Sequence, residues 1–213
     1  MEVQTLNFWL NNLAVIAFAI TAVLAVNEKD DIDIFAVVVL GSITAVGGGT
    51  LRDLILGVPV FWLPDAIDIR LAILASASVF IARPFFRSNK VFSLMLYLDA
   101  FGAALFAIQG TIKVWAFGLT IPILPIIFGV MSAIGGGIIR DVLAGRKTLL
   151  MSSELYIIPV LLGCVSMVAV LKFFPEHILI GEIFCSAQIF IFRACAIHLG
   201  WRVPNFLVLR SKI

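Results

Sequence analysis

The chain is poor in charge. Only 13% of its residues are Asp, Glu, Lys or Arg, against roughly 25% in soluble domains. The 15 basic residues are scattered and offset by 13 acidic ones, so there is no electropositive face for a nucleic acid. Its two histidines, His177 and His198, have no ligand partner at i+3 or i+4. The cysteines Cys164, Cys185 and Cys195 fall inside apolar runs at no metal-ligand spacing. This set specifies neither a disulfide framework nor a metal centre. No Ser/His/Asp or Cys/His set is placed for nucleophilic chemistry, so an enzyme is not expected. The opening Met-Glu-Val-Gln lacks a basic n-region, so the apolar stretch 13–26 reads as a retained helix rather than a signal peptide.

What the chain has in excess is apolar side chain, 62% of 213 residues. A 23.2 kDa soluble domain cannot bury that much in one core, and a bilayer supplies the missing apolar solvent. Runs of about 20 residues can cross it. Such runs predict seven spans near 8–26, 34–57, 66–84, 91–112, 119–144, 154–173 and 178–199. Asn27-Glu28-Lys29-Asp30-Asp31, Pro59 to Pro64, Arg83-Pro84, Arg146-Lys147 and Pro175-Glu176 separate them. The expected fold class is therefore all-α, a polytopic membrane protein. Basic residues cluster after spans three (Arg83, Arg87, Lys90), five (Arg146, Lys147) and seven (Arg202, Arg210, Lys212). By the positive-inside rule this places the C-terminus in the cytoplasm and the N-terminus outside.

The chain also repeats itself. Gly47-Gly48-Gly49-Thr50-Leu51-Arg52-Asp53 recurs 88 residues later as Gly135-Gly136-Gly137-Ile138-Ile139-Arg140-Asp141. At the same offset Phe18-Ala19-Ile20 matches Phe106-Ala107-Ile108, Gly57 matches Gly145, Gly41 matches Gly129 and Asn11 matches Asp99. A unit of three spans, about 8–84, is thus followed by a second, about 91–173, within a single membrane domain, and the seventh helix, about 178–199, stands outside the repeat. Three spans is an odd number, so the second unit enters from the opposite face. The two are inverted repeats, an architecture that builds pathways at the repeat interface.

Three glycines within a span either permit close helix packing or let the helix break. An unwound backbone at membrane depth must be buried in protein or line a wet cavity. The spacing predicts breaks in spans two and five at the triplets, with packing as the other reading. Phosphate-loop and dinucleotide readings fail, because Gly47-Gly48-Gly49-Thr50 lacks Gly-Lys-Ser/Thr, the further glycine and any βαβ context. Charges within spans are costly and default to functional candidates. Arg52, Asp53, Arg140 and Asp141 either ring two vestibules or sit locally, the arginines snorkelling and the aspartates capping. Adjacent Arg and Asp on a helix do not face each other, so each needs a partner elsewhere. Asp99, the one clear acid deep in a span, shares its depth with Arg140 and is expected to pair with it; backbone donors are the alternative. Asn11 and Arg52 form the neutral image. Arg193 is expected to snorkel at the cytoplasmic end.

The doubled motif, on spans two and five of a seven-helix chain, resembles the trimeric intracellular cation channel (TRIC) family in its prokaryotic branch. It is also similar to small bacterial membrane proteins described as glycine transporters. The resemblance covers about residues 8–200. It implies a homotrimer in the lipid bilayer of a prokaryotic cell, each subunit holding its own passive pore for K⁺ and Na⁺. Spans two and five line that pore, with Gly47, Gly48, Gly49, Gly135, Gly136 and Gly137 as kink positions and no cofactor beyond the permeating ion. Span four carries Asp99 as its only charge between Phe92 and Ile112, so the Lys-Glu motif of animal members has no counterpart. A secondary transporter of a small amino acid such as glycine is the alternative, and a membrane protein of purely structural role is a third.

Overall fold

The computed structural model describes residues 2–26, 32–86, 91–152 and 155–202. Of the residues invoked above, Asn27 to Asp31, Arg87, Lys90, Arg210 and Lys212 lie outside the described residues. The chain forms seven α-helices, α1 (Glu2–Ala25), α2 (Ile34–Leu56), α3 (Ile67–Ile81), α4 (Val91–Ala116), α5 (Ile123–Leu143), α6 (Ile157–Phe173) and α7 (Ile178–Leu199). Their ends follow local chemistry. Asp33 caps α2 by accepting from the Ala36 N–H at 2.8 Å. Pro122 precedes α5, where its missing N–H costs nothing. Gly57 and Gly145, repeat mates, end α2 and α5 with φ of 68° and 62°, a left-handed turn that glycine takes without strain.

Five helices, α1, α2, α4, α5 and α7, are long and apolar enough to cross a membrane. The other two, α3 and α6, are shorter than expected, at 15 and 17 residues. They occupy the same place in each repeat, so the shortness belongs to the duplicated unit. Phe35, Leu54, Ile81 and Phe184 are exposed on the outside of the bundle, a surface suited to lipid rather than water.

Within each repeat the three helices pack on one another, and between repeats α1 packs on α4 and α2 on α5. Helix α7 packs on α4 and α6. Contacts between repeat mates locate the axis. Phe18 stacks on its own mate Phe106, ring centroids 5.6 Å apart. Around this pair the core gathers Ala14, Val15, Ala103, Ala107, Met167 and Ile189.

The glycine triplets lie where α2 crosses α5, and both helices run through them unbroken. The expected breaks are therefore absent, and packing is the reason. A Cβ at Gly48 would collide with the carbonyl oxygen of Ser132, and one at Gly136 with that of Thr44, its exact repeat image. A Cβ at Gly135 would stand 3.0 Å from the Gly48 Cα. The helices touch backbone to backbone, which only glycine permits.

Candidate functional site

The end of the bundle where α1 begins is the N-side, and the end where α7 finishes is the C-side. Each repeat places one Arg-Asp pair at one of these ends, with the glycine seam between them. Arg52 and Asp53 end α2 on the N-side; Arg140 and Asp141 end α5 on the C-side.

Contrary to expectation, each arginine bonds its own neighbour. Arg52 Nε lies 2.8 Å from Asp53 Oδ1, and Arg140 Nε lies 2.9 Å from Asp141 Oδ1. Successive side chains diverge by about 100° on a helix, but the long guanidinium arm folds back across that angle. The second carboxylate oxygen fixes the next loop: Asp53 accepts from the Phe61 N–H at 2.9 Å and Asp141 from the Leu149 N–H at 3.0 Å. Phe61 and Leu149 are themselves 88 residues apart. Each aspartate thus ties its arginine to the chain entering the third helix of its repeat. All four side chains are buried, so none of these arginines snorkels.

On the C-side the cluster is closed. Arg140, fully buried, donates through Nη1 to Asp99 Oδ1 at 2.7 Å and to Thr21 Oγ1 at 2.9 Å. Asp99 and Arg140, expected to share a depth, are in salt-bridge contact, and the contact joins α1, α4 and α5. Three participants went unforeseen, Thr21 of α1 and two others. Arg193 of α7 does not snorkel: it is 2% exposed, with Nη2 3.5 Å from Asp99 Oδ2 and its guanidinium 4.1 Å from the centre of the Tyr156 ring. A Cβ at Gly137 would stand 3.2 Å from the Tyr156 hydroxyl and 3.3 Å from Asp99 Oδ1, so Tyr156 caps this end of the seam. The charges of two buried arginines and two buried aspartates balance one another, although Arg140 Nη2 and Arg193 Nε have no hydrogen-bond partner among the described residues.

The N-side is open. A cavity of about 420 Å³ is lined by Asn11, Asn12, Arg52, Phe61, Asp65, Asp68, Gln109 and Lys113, among others. The expected Asn11–Arg52 pairing is replaced: Asn11 Nδ2 donates to Asp68 Oδ1 at 2.5 Å. Lys113, in the last turn of α4, places Nζ 2.8 Å from Asp53 Oδ1. Phe61 covers the seam here, its Cε1 2.5 Å from where a Gly49 Cβ would lie. Asp99 is not the only buried acid. Asp68 is 6% exposed, and Glu182 of α7 is fully buried, its two oxygens 2.7 and 2.9 Å from the Asn7 side-chain amide, which donates to them when its nitrogen is turned their way. Asp68 sits in the first turn of α3, where a carboxylate reads as a helix-end residue, and Glu182 is the fifth residue of α7, one turn inside it.

The comparisons with known proteins agree with this architecture. The family model described as "Glycine transporter" matches twice, at residues 8–84 and 96–172, the second match displaced by 88 residues. The UPF0126 membrane protein YvgT of Bacillus subtilis is 34% identical over 92% of this chain and 94% of its own. The UPF0126 inner membrane protein YadS of Escherichia coli K12 is 33% identical over 93% and 95%. Among solved structures, the TRIC trimeric intracellular cation channel orthologue from Rhodobacter sphaeroides superposes with a TM-score of 0.85 at 32% identity, covering 92% of this chain and all of that one. A prokaryotic TRIC channel crystallised in 0.5 M KCl gives 0.85 at 27% identity, over 94% of this chain and all of that one. With one family model matching both of its halves and curated relatives aligned along nearly its whole length, this chain belongs to the UPF0126 membrane proteins, the family described as glycine transporters, and shares the TRIC channel fold.

Proposed function

We propose that this protein is a passive channel for K⁺ and Na⁺, with one pathway through each protomer of a homotrimer in a prokaryotic cell membrane. The observation that carries the reading is the whole-chain likeness to the TRIC channel from Rhodobacter sphaeroides, at 32% identity and a TM-score of 0.85. The site geometry supports it. The N-side cavity lined by Arg52, Asp68 and Lys113 and the Asp99–Arg140 cluster on the C-side lie at opposite ends of one seam between α2 and α5. Conduction follows that seam. In its closed form backbone meets backbone at Gly48 and Gly136, and buried arginine plugs the C-side. When α2 and α5 part, the Ser132 and Thr44 carbonyls, bare because glycine faces them, become weak oxygen ligands for a partly dehydrated cation. Modest K⁺/Na⁺ discrimination follows from so sparse a ligand set. Vestibule roles fall to Arg52 and Asp53 on the N-side, which faces outward, and to Asp99, Arg140 and Asp141 on the C-side.

Single-channel recording of the purified protein in planar bilayers tests this. Cation-selective currents with similar K⁺ and Na⁺ permeability are expected. Absence of current, together with saturable glycine uptake into proteoliposomes, would replace the channel with a transporter.

A further inference from the structure

The duplication makes the protein its own comparison, and the third glycine of each triplet is covered differently. On the C-side, the place of a Gly137 Cβ lies 3.2 Å from the Tyr156 hydroxyl and 3.3 Å from Asp99 Oδ1, so the cover belongs to the buried ion cluster. On the N-side, the place of a Gly49 Cβ lies 2.5 Å from Phe61 Cε1. Phe61 belongs to no helix; it is carried by the strap 58–65 that joins α2 to α3. Its ring lines the N-side cavity and stands 6.3 Å from the ring of Phe106 at the repeat axis. The Arg52 guanidinium lies 5.8 Å from its centre. One apolar side chain thus separates the cavity from the glycine seam.

The strap is built to hold this side chain and to release it. Hydrogen bonds fasten it to α2, from the Phe61 N–H to Asp53 Oδ2 at 2.9 Å and from Trp62 Nε1 to Thr50 Oγ1 at 3.0 Å. The first of these is repeated between Leu149 and Asp141, so the two straps share a latch and differ in the side chain they carry. The N-side strap is flanked by left-handed residues, Gly57 at φ 68° and Ala66 at φ 54°. Glycine takes that conformation freely, whereas alanine takes it at a cost, because its Cβ crowds the following carbonyl. Arg70 holds the strained end, donating to the carbonyls of Asp65 and Ala66. Lifting this strap breaks hydrogen bonds and an aromatic contact but separates no buried ion pair, whereas moving Tyr156 uncovers the Arg193 guanidinium stacked on its ring. We propose that Phe61 is the N-side constriction of the pathway, a side-chain gate that the strap swings over the third glycine about Gly57 and Ala66. This rests on the channel reading above and locates the step that admits an ion from the cavity to the seam.

Single-channel recording of the full chain in planar bilayers tests it, with side chains of graded size at position 61. Phe61→Leu and Phe61→Ala should raise the conductance, the alanine by about twofold or more, and Phe61→Trp should lower it. A charge at this position separates a constriction from a packing residue. In Phe61→Cys, a membrane-impermeant thiosulfonate reagent should lower the cation current when it delivers an ammonium and raise it when it delivers a sulfonate. Each change should reach about fivefold, the effect of a unit charge roughly 4 Å from a cation in water. The wild-type protein controls for the native thiols, since Cys164 and Cys185 are buried and Cys195 lies near the C-side end of α7. Ala66→Gly relieves the strain of the shut strap and should lower the open probability about fivefold. If Phe61→Ala does not assemble, the leucine and cysteine variants carry the test. Currents that ignore both size and charge at position 61, or an open probability that does not fall in Ala66→Gly, would overturn the gate and leave the channel. Absence of current in every variant would remove the channel reading and the gate with it.

Discussion

Asp99→Asn removes a carboxylate that serves two arginines while keeping the shape of the side chain. Arg140 Nη1 keeps Thr21 at 2.9 Å and its Nε keeps Asp141, but Arg193 loses its only carboxylate among the described residues. The cluster goes from two cations and two carboxylates to an uncompensated positive charge, with Arg140 fully buried and Arg193 2% exposed. Removing one partner of a buried pair costs about 3–5 kcal/mol, and the upper part of that range is expected here because both oxygens are engaged. Equilibrium unfolding of the full chain in mixed micelles, followed by tryptophan fluorescence, reads the cost. Asn11→Ala breaks a single hydrogen bond at the matching position, to a charged acceptor, and should cost about 1.5–3 kcal/mol. The double variant Asp99→Asn/Arg140→Gln should recover about 1–3 kcal/mol relative to the sum of the single ones. A coupling below about 0.5 kcal/mol would show that the contact does not organise the C-side, and the closing role given to it would fail.

Three further predictions follow from the geometry. Gly48→Ala and Gly136→Ala each force a methyl group against a partner carbonyl, and each should lower stability by about 1–3 kcal/mol, equally in the two repeats, as the same unfolding assay reports. Gly57→Ala and Gly145→Ala, at φ of 68° and 62°, have open space or a turn around them; each should cost about 1 kcal/mol from backbone strain alone, and unchanged stability would refute the left-handed caps. Arg193→Gln releases Asp99 Oδ2 and the Tyr156 ring, so single-channel open probability should rise; an unchanged or lower value would remove α7 from the closing contact.

How much of this was legible in the sequence depends on which residues carried a second, independent signal. The duplication was visible because glycine triplets, Arg-Asp and the Phe18/Phe106 segment share one offset, and depth along two antiparallel spans was enough to bring Asp99 to Arg140. The triplets alone were ambiguous. Glycine is equally the residue that breaks a helix and the residue that lets another helix touch it, and the decision lies with what faces it. Here that is the carbonyl of Ser132 or Thr44, a backbone atom without a letter in the sequence. Arg193 was misread because an arginine six residues from the end of α7 is long enough to reach the interface; only the α7–α4 contact shows that Asp99 and Tyr156 are nearer. The adjacent Arg-Asp pairs were misread from Cβ directions, which do not limit a guanidinium on three methylenes.

The two halves are copies, yet on the C-side the arginine cluster is buried behind a cavity of about 260 Å³ lined by Asp141, Arg146 and Lys147, whereas on the N-side Arg52 itself lines the cavity, and the difference lies in where each half obtains its balancing charges. In both, the shared motif contributes one arginine and one aspartate. The C-side adds Asp99 from α4, which leaves a surplus of negative charge, and Arg193 cancels it from α7, a helix with no counterpart in the first repeat. All of these groups are buried, so the cluster can part only as a unit. The N-side has Asn11 where the C-side has Asp99. Its balancing charges are Lys113, whose side chain is 27% exposed, and Asp68 across the cavity. A lysine at that exposure can move without stranding a charge in a low dielectric, whereas Arg193 cannot. The asymmetry thus comes from positions where the repeat mates differ, Asn11 against Asp99, Asp68 against Tyr156 and Lys113 against Ala25, and from one helix outside the repeat, and Asn11→Asp is the change that should bring a carboxylate to Arg52 as Asp99 brings one to Arg140.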